Sequence, residues 1–360
     1  MSRRPVRAGT GLPLVMALVL RCAAASAQGA PSLPTLVAPA PRTAPAAPTP
    51  VVPAPAMPAA PSGFLPSPTG LGAAGAGPAP GADSADEAFG AFQRGYFATA
   101  LADATARLAK NPEDGAAMAL IGAIYEQGLA VRADAAEADR WFKLASQRGN
   151  REGSFAYGLA LLRGTGVAKD PAAARTYLER AAAQGHPGAV YNLGVLALEA
   201  DLKTRDDTVA AAFFQRAADL GDVDALYALA NLYRSGEGVP RDPARAAGLF
   251  RAAADQQHPG AQVEFAIMAF NGQGMPKDEA LAARYFQLAA YQGNPVAANR
   301  LARLYAAGRG IGKDGVEAAR WHLLARAAGV ADPWLDGVLA SLAPADKARV
   351  EDQLRKTLAN

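Results

Sequence analysis

The chain has 360 residues, 51% of them hydrophobic, and a formal net charge of +3. That length and apolar content can fill a large core and leave room for two or three ordinary domains. The near balance of charge gives no support for nucleic-acid or anionic-membrane binding, which need a clustered basic face.

Residues 1–27 carry Arg3, Arg4 and Arg7, then an apolar run from Gly11 to Leu20, then Ala25, Ser26 and Ala27. This is the order of a secretory signal peptide, with cleavage expected after Ala27. The run is shorter than the roughly 20 residues that cross a bilayer. The expectation is therefore export to the periplasm or medium, with no stable membrane insertion after cleavage. Removing the leader takes away four arginines and no acid, so the net charge of +3 becomes −1. Cys22, the only cysteine, leaves too, and Arg21 before it stands where a lipoprotein signal wants a small residue. No disulfide or thiol chemistry is expected in what remains.

Residues 28–85 hold fifteen prolines among alanine, glycine and serine, with Arg42 the only charge before Asp83. Such a composition buries too little apolar surface to offset chain entropy and predicts a disordered linker. Its extended reach is about 180 Å at polyproline spacing. Residues 86–114, with Phe92, Tyr96 and Leu101 apolar and Asn111-Pro112 as a stop, predict a degenerate N-terminal helix pair.

From Gly115 the sequence aligns on itself in six lines of 36 residues, starting at Gly115, Arg151, Pro187, Val223, Pro259 and Pro295. Self-similarity at such a period marks a repeat architecture. Position 20 of each line is aspartate (Asp134, Asp170, Asp206, Asp242, Asp278, Asp314), and positions 24 and 31 are alanine throughout. Positions 3, 7, 8 and 11 follow the rhythm of one helix face. Position 8 is always small (Gly122, Gly158, Gly194, Ala230, Ala266, Ala302), which lets a neighbouring helix approach. Glycines at positions 14 and 16 permit positive φ where the first helix stops. The aspartate then caps a second helix, Pro171 and Pro243 sit at its first position, and Glu137 and Glu317 complete capping boxes. The second helix is expected to bury positions 24, 27, 28 and 31, with large residues at 27 (Trp141, Tyr177, Phe213, Leu249, Tyr285, Trp321). The run GEGVPRD (residues 236–242) thus resembles a phosphate loop only by glycine spacing; no strand precedes it and no P-loop lysine follows.

After the array, Trp334, Leu335, Val338, Leu339 and Leu342 predict a capping helix, and Pro344 opens a last one striped by Val350, Leu354 and Leu358. Residues 331–360 would then close the end of the stack, as solenoids require.

The stretch YALANLYRSGEGVPRDPARAAGLFRAAADQ (227–256) resembles the Sel-one-like repeat family, a relative of the tetratricopeptide repeat, and the resemblance covers residues 115–330. It implies an all-α, right-handed α/α superhelical solenoid of about six repeats with terminal capping helices. Copy three departs from the pattern, Ala200, Asp201 and Leu202 replacing the glycine pair, which predicts a different turn.

Catalytic motifs are missing: there is no GxSxG, no HExxH and no metal-spaced cluster. His186 and His258 each precede Pro-Gly-Ala and are expected in turns, and His322 at position 28 in the core. No enzyme activity, cofactor or metal is expected. A branch of the resembling family has been linked with β-lactam binding, but it staples each repeat with a disulfide, which this chain cannot form.

Binding is the expected function. Positions 2, 5, 9 and 12 of each first helix lie opposite the packed face, and in solenoids of this class they line the concave side. They predict a partner-binding strip of Phe155, Leu159, Tyr191, Val195, Tyr227, Asn231, Arg234, Ile267, Phe270 and Arg303, flanked by Leu162, Leu198, Val263 and Asn299. Tyr191 and Tyr227 are its expected aromatic anchors, removable at little cost in stability. A protein or peptide is the expected partner. The resemblance implies adaptor roles, with envelope signalling or polysaccharide assembly among them; a cell-wall or glycan-binding protein is the alternative, and a β-lactamase-like hydrolase a weaker one.

Overall fold

The computed structural model describes residues 83–199 and 205–358. The expected leader and most of the linker, and the divergent turn at residues 200–204, lie outside the described residues. Sixteen helices and no strand are present among the described residues. The helices α1 (Asp83–Gln93) and α2 (Phe97–Lys110) come first. Six pairs follow: α3 (Gly115–Gln127) and α4 (Ala135–Gln147), α5 (Arg151–Arg163) and α6 (Pro171–Ala183), α7 (Pro187–Glu199) and α8 (Asp207–Asp219). The series continues with α9 (Val223–Ser235) and α10 (Pro243–Asp255), α11 (Pro259–Asn271) and α12 (Glu279–Tyr291), α13 (Pro295–Ala307) and α14 (Gly315–Ala327). The chain ends in α15 (Pro333–Ser341) and α16 (Pro344–Leu358). All twelve helices of the six pairs have 13 residues, about 20 Å each.

Each helix packs on its neighbours in the chain, first against second within a pair and second against the next first. The core runs through this stack. Position 28 supplies its largest members, Phe142, Leu178, Phe214, Phe250 and Phe286, all buried, and each contributes about 1.5 to 3 kcal/mol by that burial. They sit against the small residue at position 8: a Cβ on Gly122 or Gly194 would lie 2.7 Å from the ring of Phe142 or Phe214. Position 27 is only half-buried in the first four copies and buried as Tyr285 and Trp321 in the last two. The expectation that it forms the core is corrected in this respect; the ring at 28, not at 27, lies between the buried alanines at 24 and 31.

All six aspartates at position 20 accept a backbone N–H in the first turn of their second helix. Their own N–H groups donate to the carbonyl at position 11, as from Asp242 to Tyr233 (2.8 Å). The expected capping boxes therefore do not close: that N–H is already engaged, and Glu137 and Glu317 turn instead to Arg140 and Arg320. Position 14 stops the first helix in the left-handed region at Gly128, Gly164, Gly236, Gly272 and Gly308.

The glycine at position 16 does something else. A Cβ on Gly238, Gly274 or Gly310 would stand 2.1 to 2.2 Å from a backbone carbonyl of the previous repeat, that of Asp207, Pro243 or Glu279. The loop of each repeat is thus laid on the N-terminus of the preceding second helix, and only glycine fits between. GEGVPRD is a helix stop and an inter-repeat contact.

In copy two this contact includes a charge. The Gly166 N–H donates to the carboxylate of Asp139, whose Oδ2 is buried without a partner. Burial, reinforced by the Glu126 charge, pushes the Asp139 carboxyl up to about 6. Its ordinary value is 3.8, so ionisation costs the fold stability as pH rises from 3.8 through 6, and the full penalty is present above that. Asp139→Asn should raise the unfolding free energy by about 2 kcal/mol at pH 7.5 and by almost nothing at pH 4, measured by urea melts at both. A gain of equal size at the two pH values would contradict this cause.

At the C-terminal end, α15 and α16 pack on α14, and Val350, with Leu339, Leu342 and Leu354 around it, covers Val316 and Ala319.

Candidate interaction face of the first helices

The odd-numbered helices α3 to α13 turn positions 3, 7 and 8 inward, so positions 5, 9 and 12 fall on their other side. There Phe155, Leu159, Tyr227, Asn231, Arg234, Ile267, Phe270 and Arg303 are half-buried, as is Leu198. Tyr191 and Val195, each 7% exposed, are buried, and so are Leu162, Val263 and Asn299. The reason for Tyr191 is packing on Phe214 of its own pair, ring centroids 5.5 Å apart. Its replacement by alanine therefore costs core stability, contrary to the expectation from sequence.

Two of the aromatic rings carry an imidazole. His186 stacks on Phe155 (4.1 Å) and His258 on Tyr227 (4.6 Å). Both histidines are helix N-caps: Nδ1 accepts the Ala189 N–H at 3.1 Å and the Ala261 N–H at 2.9 Å. That fixes the tautomer, so the Nε2–H of His186 donates to Glu152 (3.0 Å), and that of His258 faces Asp224 (3.2 Å). The glycine two residues on leaves room for the ring below, since a Cβ on Gly188 would come 3.1 Å from Phe155 and one on Gly260 3.3 Å from Tyr227. In each His-Pro-Gly run the histidine caps and stacks, the proline starts the helix and the glycine clears the ring. Sequence reasoning placed these histidines only in turns. The column held the signal, because the same position is Asp114, Asn150, Asp222 and Asn294 in other copies, and all four cap.

The polar members of the strip are engaged within the fold. Arg234 pairs with Glu264, donates to Asn231 Oδ1 (2.6 Å) and lies over Phe250. Arg303 and Asn299 both donate to Asp332, the N-cap of α15, at 2.9 and 3.0 Å. Phe270 is covered by Arg309, with the guanidinium 4.8 Å from the ring centre. What remains open is aliphatic and aromatic: Leu159, Ile267, and the edges of Phe155, Tyr227 and Phe270. His322 is fully buried, its Nε2 bonded to Asp336 at 2.8 Å. Among the described residues no helix is long and apolar enough to cross a membrane, and no three His, Cys, Asp or Glu side chains are grouped to hold a metal ion.

Thirteen-residue helix pairs, a capped turn repeated six times and a half-open apolar row along one set of helices define an α/α solenoid built for contact along its length. The Sel1 repeat model matches residues 115–150, 152–186, 187–222, 223–258, 259–294 and 295–330. The chain belongs to the Sel1 repeat family. It is similar to the crystal structure of a Sel1 repeat protein from Oxalobacter formigenes, at 27% identity and a TM-score of 0.59 over 69% of this chain and 99% of that one. It is equally similar, at 27% identity and TM-score 0.59, to a protective antigen of uropathogenic Escherichia coli with an SLR fold, over 73% of this chain and 57% of the antigen. No curated protein matches the chain. Sel1 repeat proteins are generally protein–protein interaction scaffolds, and their solenoid is typically a non-enzymatic framework.

Proposed function

We propose that this chain is an exported adaptor that binds a protein or peptide along the first-helix face, in the groove expected from the repeat geometry. The observation that carries the reading is the row of half-buried apolar side chains, Phe155, Leu159, Tyr227, Ile267 and Phe270, one or two per repeat and each on a rigid helix. Contiguous apolar surface of this kind marks contact sites on soluble proteins, and aromatic anchors among smaller side chains are the usual energetic centres. Export rests on the order of Arg3, Arg4 and Arg7, the Gly11 to Leu20 run and the Ala25-Ser26-Ala27 site; cell fractionation of the full chain checks it. A regulatory role in envelope signalling or polysaccharide assembly suits an adaptor placed there.

The face is tested by the double variant Leu159→Arg with Ile267→Arg. Both side chains are half-buried, so the long arginines reach water while their charges occupy the apolar row. Crosslinking in intact cells should capture the partner at least tenfold less than with the native chain, and the melting temperature should move by only a few degrees. Undiminished capture with both arginines in place would refute the reading.

A further inference from the structure

Three successive junctions along the first-helix face share one plan, and the middle one breaks it. Between α5 and α7, and again between α9 and α11, an aromatic ring is met by a capping imidazole, followed by glycine: Phe155 by His186 and Gly188, Tyr227 by His258 and Gly260. Between α7 and α9 the ring is Tyr191, the cap is Asp222, and Asp224 stands where the others have glycine. Two carboxylates replace an imidazole and an empty space.

Tyr191 is 7% exposed, and its hydroxyl makes no hydrogen bond among the described residues. Burial, then the negative charges of Asp224 and Asp222, hold this phenol far above its ordinary range, so it stays a neutral hydroxyl beside two anions, with Tyr227 and Glu199 further contributors. Burial and the neighbouring Asp224 push the Asp222 carboxyl up to about 6, against the Ala225 N–H it caps and His186 beside it. The groups that offset the pair are His258, 3.2 Å from Asp224, and the positive end of the α9 dipole, worth about half a charge. No lysine or arginine of this chain forms an ion pair with either aspartate among the described residues. The junction holds unneutralised negative charge, an unused phenol oxygen with its lone pairs, and aromatic walls, a set of groups complementary to a cation with N–H donors.

Resting on the reading of this face as an interaction surface, we propose that the Tyr191, Asp222 and Asp224 junction takes a lysine or arginine side chain of the bound peptide. The cation donates to Asp224 and to the Tyr191 oxygen, and its charge removes the penalty that burial places on Asp222. The face then has two parts, an apolar row that supplies area and one anionic notch that sets register.

The test uses a fluorescein-labelled peptide of alternating lysine and leucine and its Nε-acetylated twin, titrated into the full chain by fluorescence anisotropy at pH 7.5. The lysine peptide should bind at least tenfold more tightly than the acetylated one. Asp222→Asn with Asp224→Asn should erase that preference, and the melting temperature should hold or rise, because asparagine still caps α9 and the buried charge is gone. A merely structural pair would instead lower melting and leave the preference intact. The inference is overturned if the double asparagine variant still prefers the lysine peptide, or if the exposed control Glu351→Gln on α16 loses as much affinity. A loss of partner capture by Leu159→Arg with Ile267→Arg, alongside a lysine preference indifferent to Asp222 and Asp224, would remove this notch alone and leave the adaptor reading in place.

Discussion

Gly274→Ala lowers the stability of the array by about 2 to 5 kcal/mol, from a change of one methyl group. Two costs add. The backbone at Gly274 has φ +71°, a left-handed conformation that costs an L side chain about 1 to 2 kcal/mol. The new Cβ would also stand 2.1 Å from the Pro243 carbonyl oxygen, and neither group can move without lifting the loop of repeat five off α10; such overpacking costs about 1 to 3 kcal/mol. Two other glycines separate the terms. Gly293 has φ +82° and nothing within 4 Å of its missing Cβ, so Gly293→Ala incurs the conformational cost alone, about 1 to 2 kcal/mol. Gly248, in the middle of α10, is exposed, has no crowding neighbour and no positive φ; there alanine should stabilise by about 0.5 to 1 kcal/mol. Because repeats interact only with their neighbours, the Gly274 variant should also split its urea unfolding curve, repeats on either side of the wedge melting apart. A Gly274 variant that melts like the Gly293 variant would show that the loop is free to lift.

The contrast among these three glycines also explains what could be read from the sequence. The period of 36 residues, the capping aspartates and the small position 8 are properties of one repeat, and each recurs six times, so local propensity and spacing suffice to place them. The second glycine of the loop was legible only as a residue permitting positive φ. Its contact, the position-21 carbonyl of the previous repeat, lies 31 residues earlier in the chain (Pro243 for Gly274), and no intra-repeat pattern points to it. The same limit applied to the face. Helical spacing placed Phe155, Leu159, Tyr227 and Ile267 on one side correctly in direction, yet spacing has no means of saying that stacked neighbours would close over Tyr191 and Val195. Nor could it say that the cations of the strip were engaged: Arg234 meets Glu264, 30 residues on, and Arg303 meets Asp332, 29 residues on, each in the following helix of the stack. Intra-repeat physics is local and legible; inter-repeat pairing depends on the rotation between units, which the sequence encodes only through contacts not yet visible. Columns compared across copies recover part of it, as the capping position shared by His186 and Asp222 does.

Asp332 is where the array meets its C-terminal cap, and Asp332→Ala should cost about 3 to 5 kcal/mol, the range for breaking a buried charge pair by removing one partner. The carboxylate is 4% exposed. Both its oxygens receive the Arg303 guanidinium, Oδ2 also takes the Asn299 amide at 3.0 Å, and Oδ1 takes the Trp334 and Leu335 N–H groups that begin α15. The Arg303 hydrogen bond, the largest influence, holds the carboxyl well below the usual carboxylate range despite its burial. Folding therefore depresses this group from 3.8, and its stabilisation is present above that value and lost as pH falls through the folded one. Asp332→Asn keeps the cap and one acceptor but loses the charge; its deficit against the native chain should be constant from pH 8 to 5 and shrink in stronger acid. Amide exchange should speed up in α15 and α16 in the alanine variant, since Leu335 then loses its seat on the stack. If Arg303 serves Asp332 and nothing outside the chain, Arg303→Ala and Asp332→Ala will each cost nearly what the pair costs together, with a coupling of several kcal/mol in the double-mutant cycle. Additive losses, or weakened partner capture in Arg303→Ala at unchanged stability, would return Arg303 to the binding face.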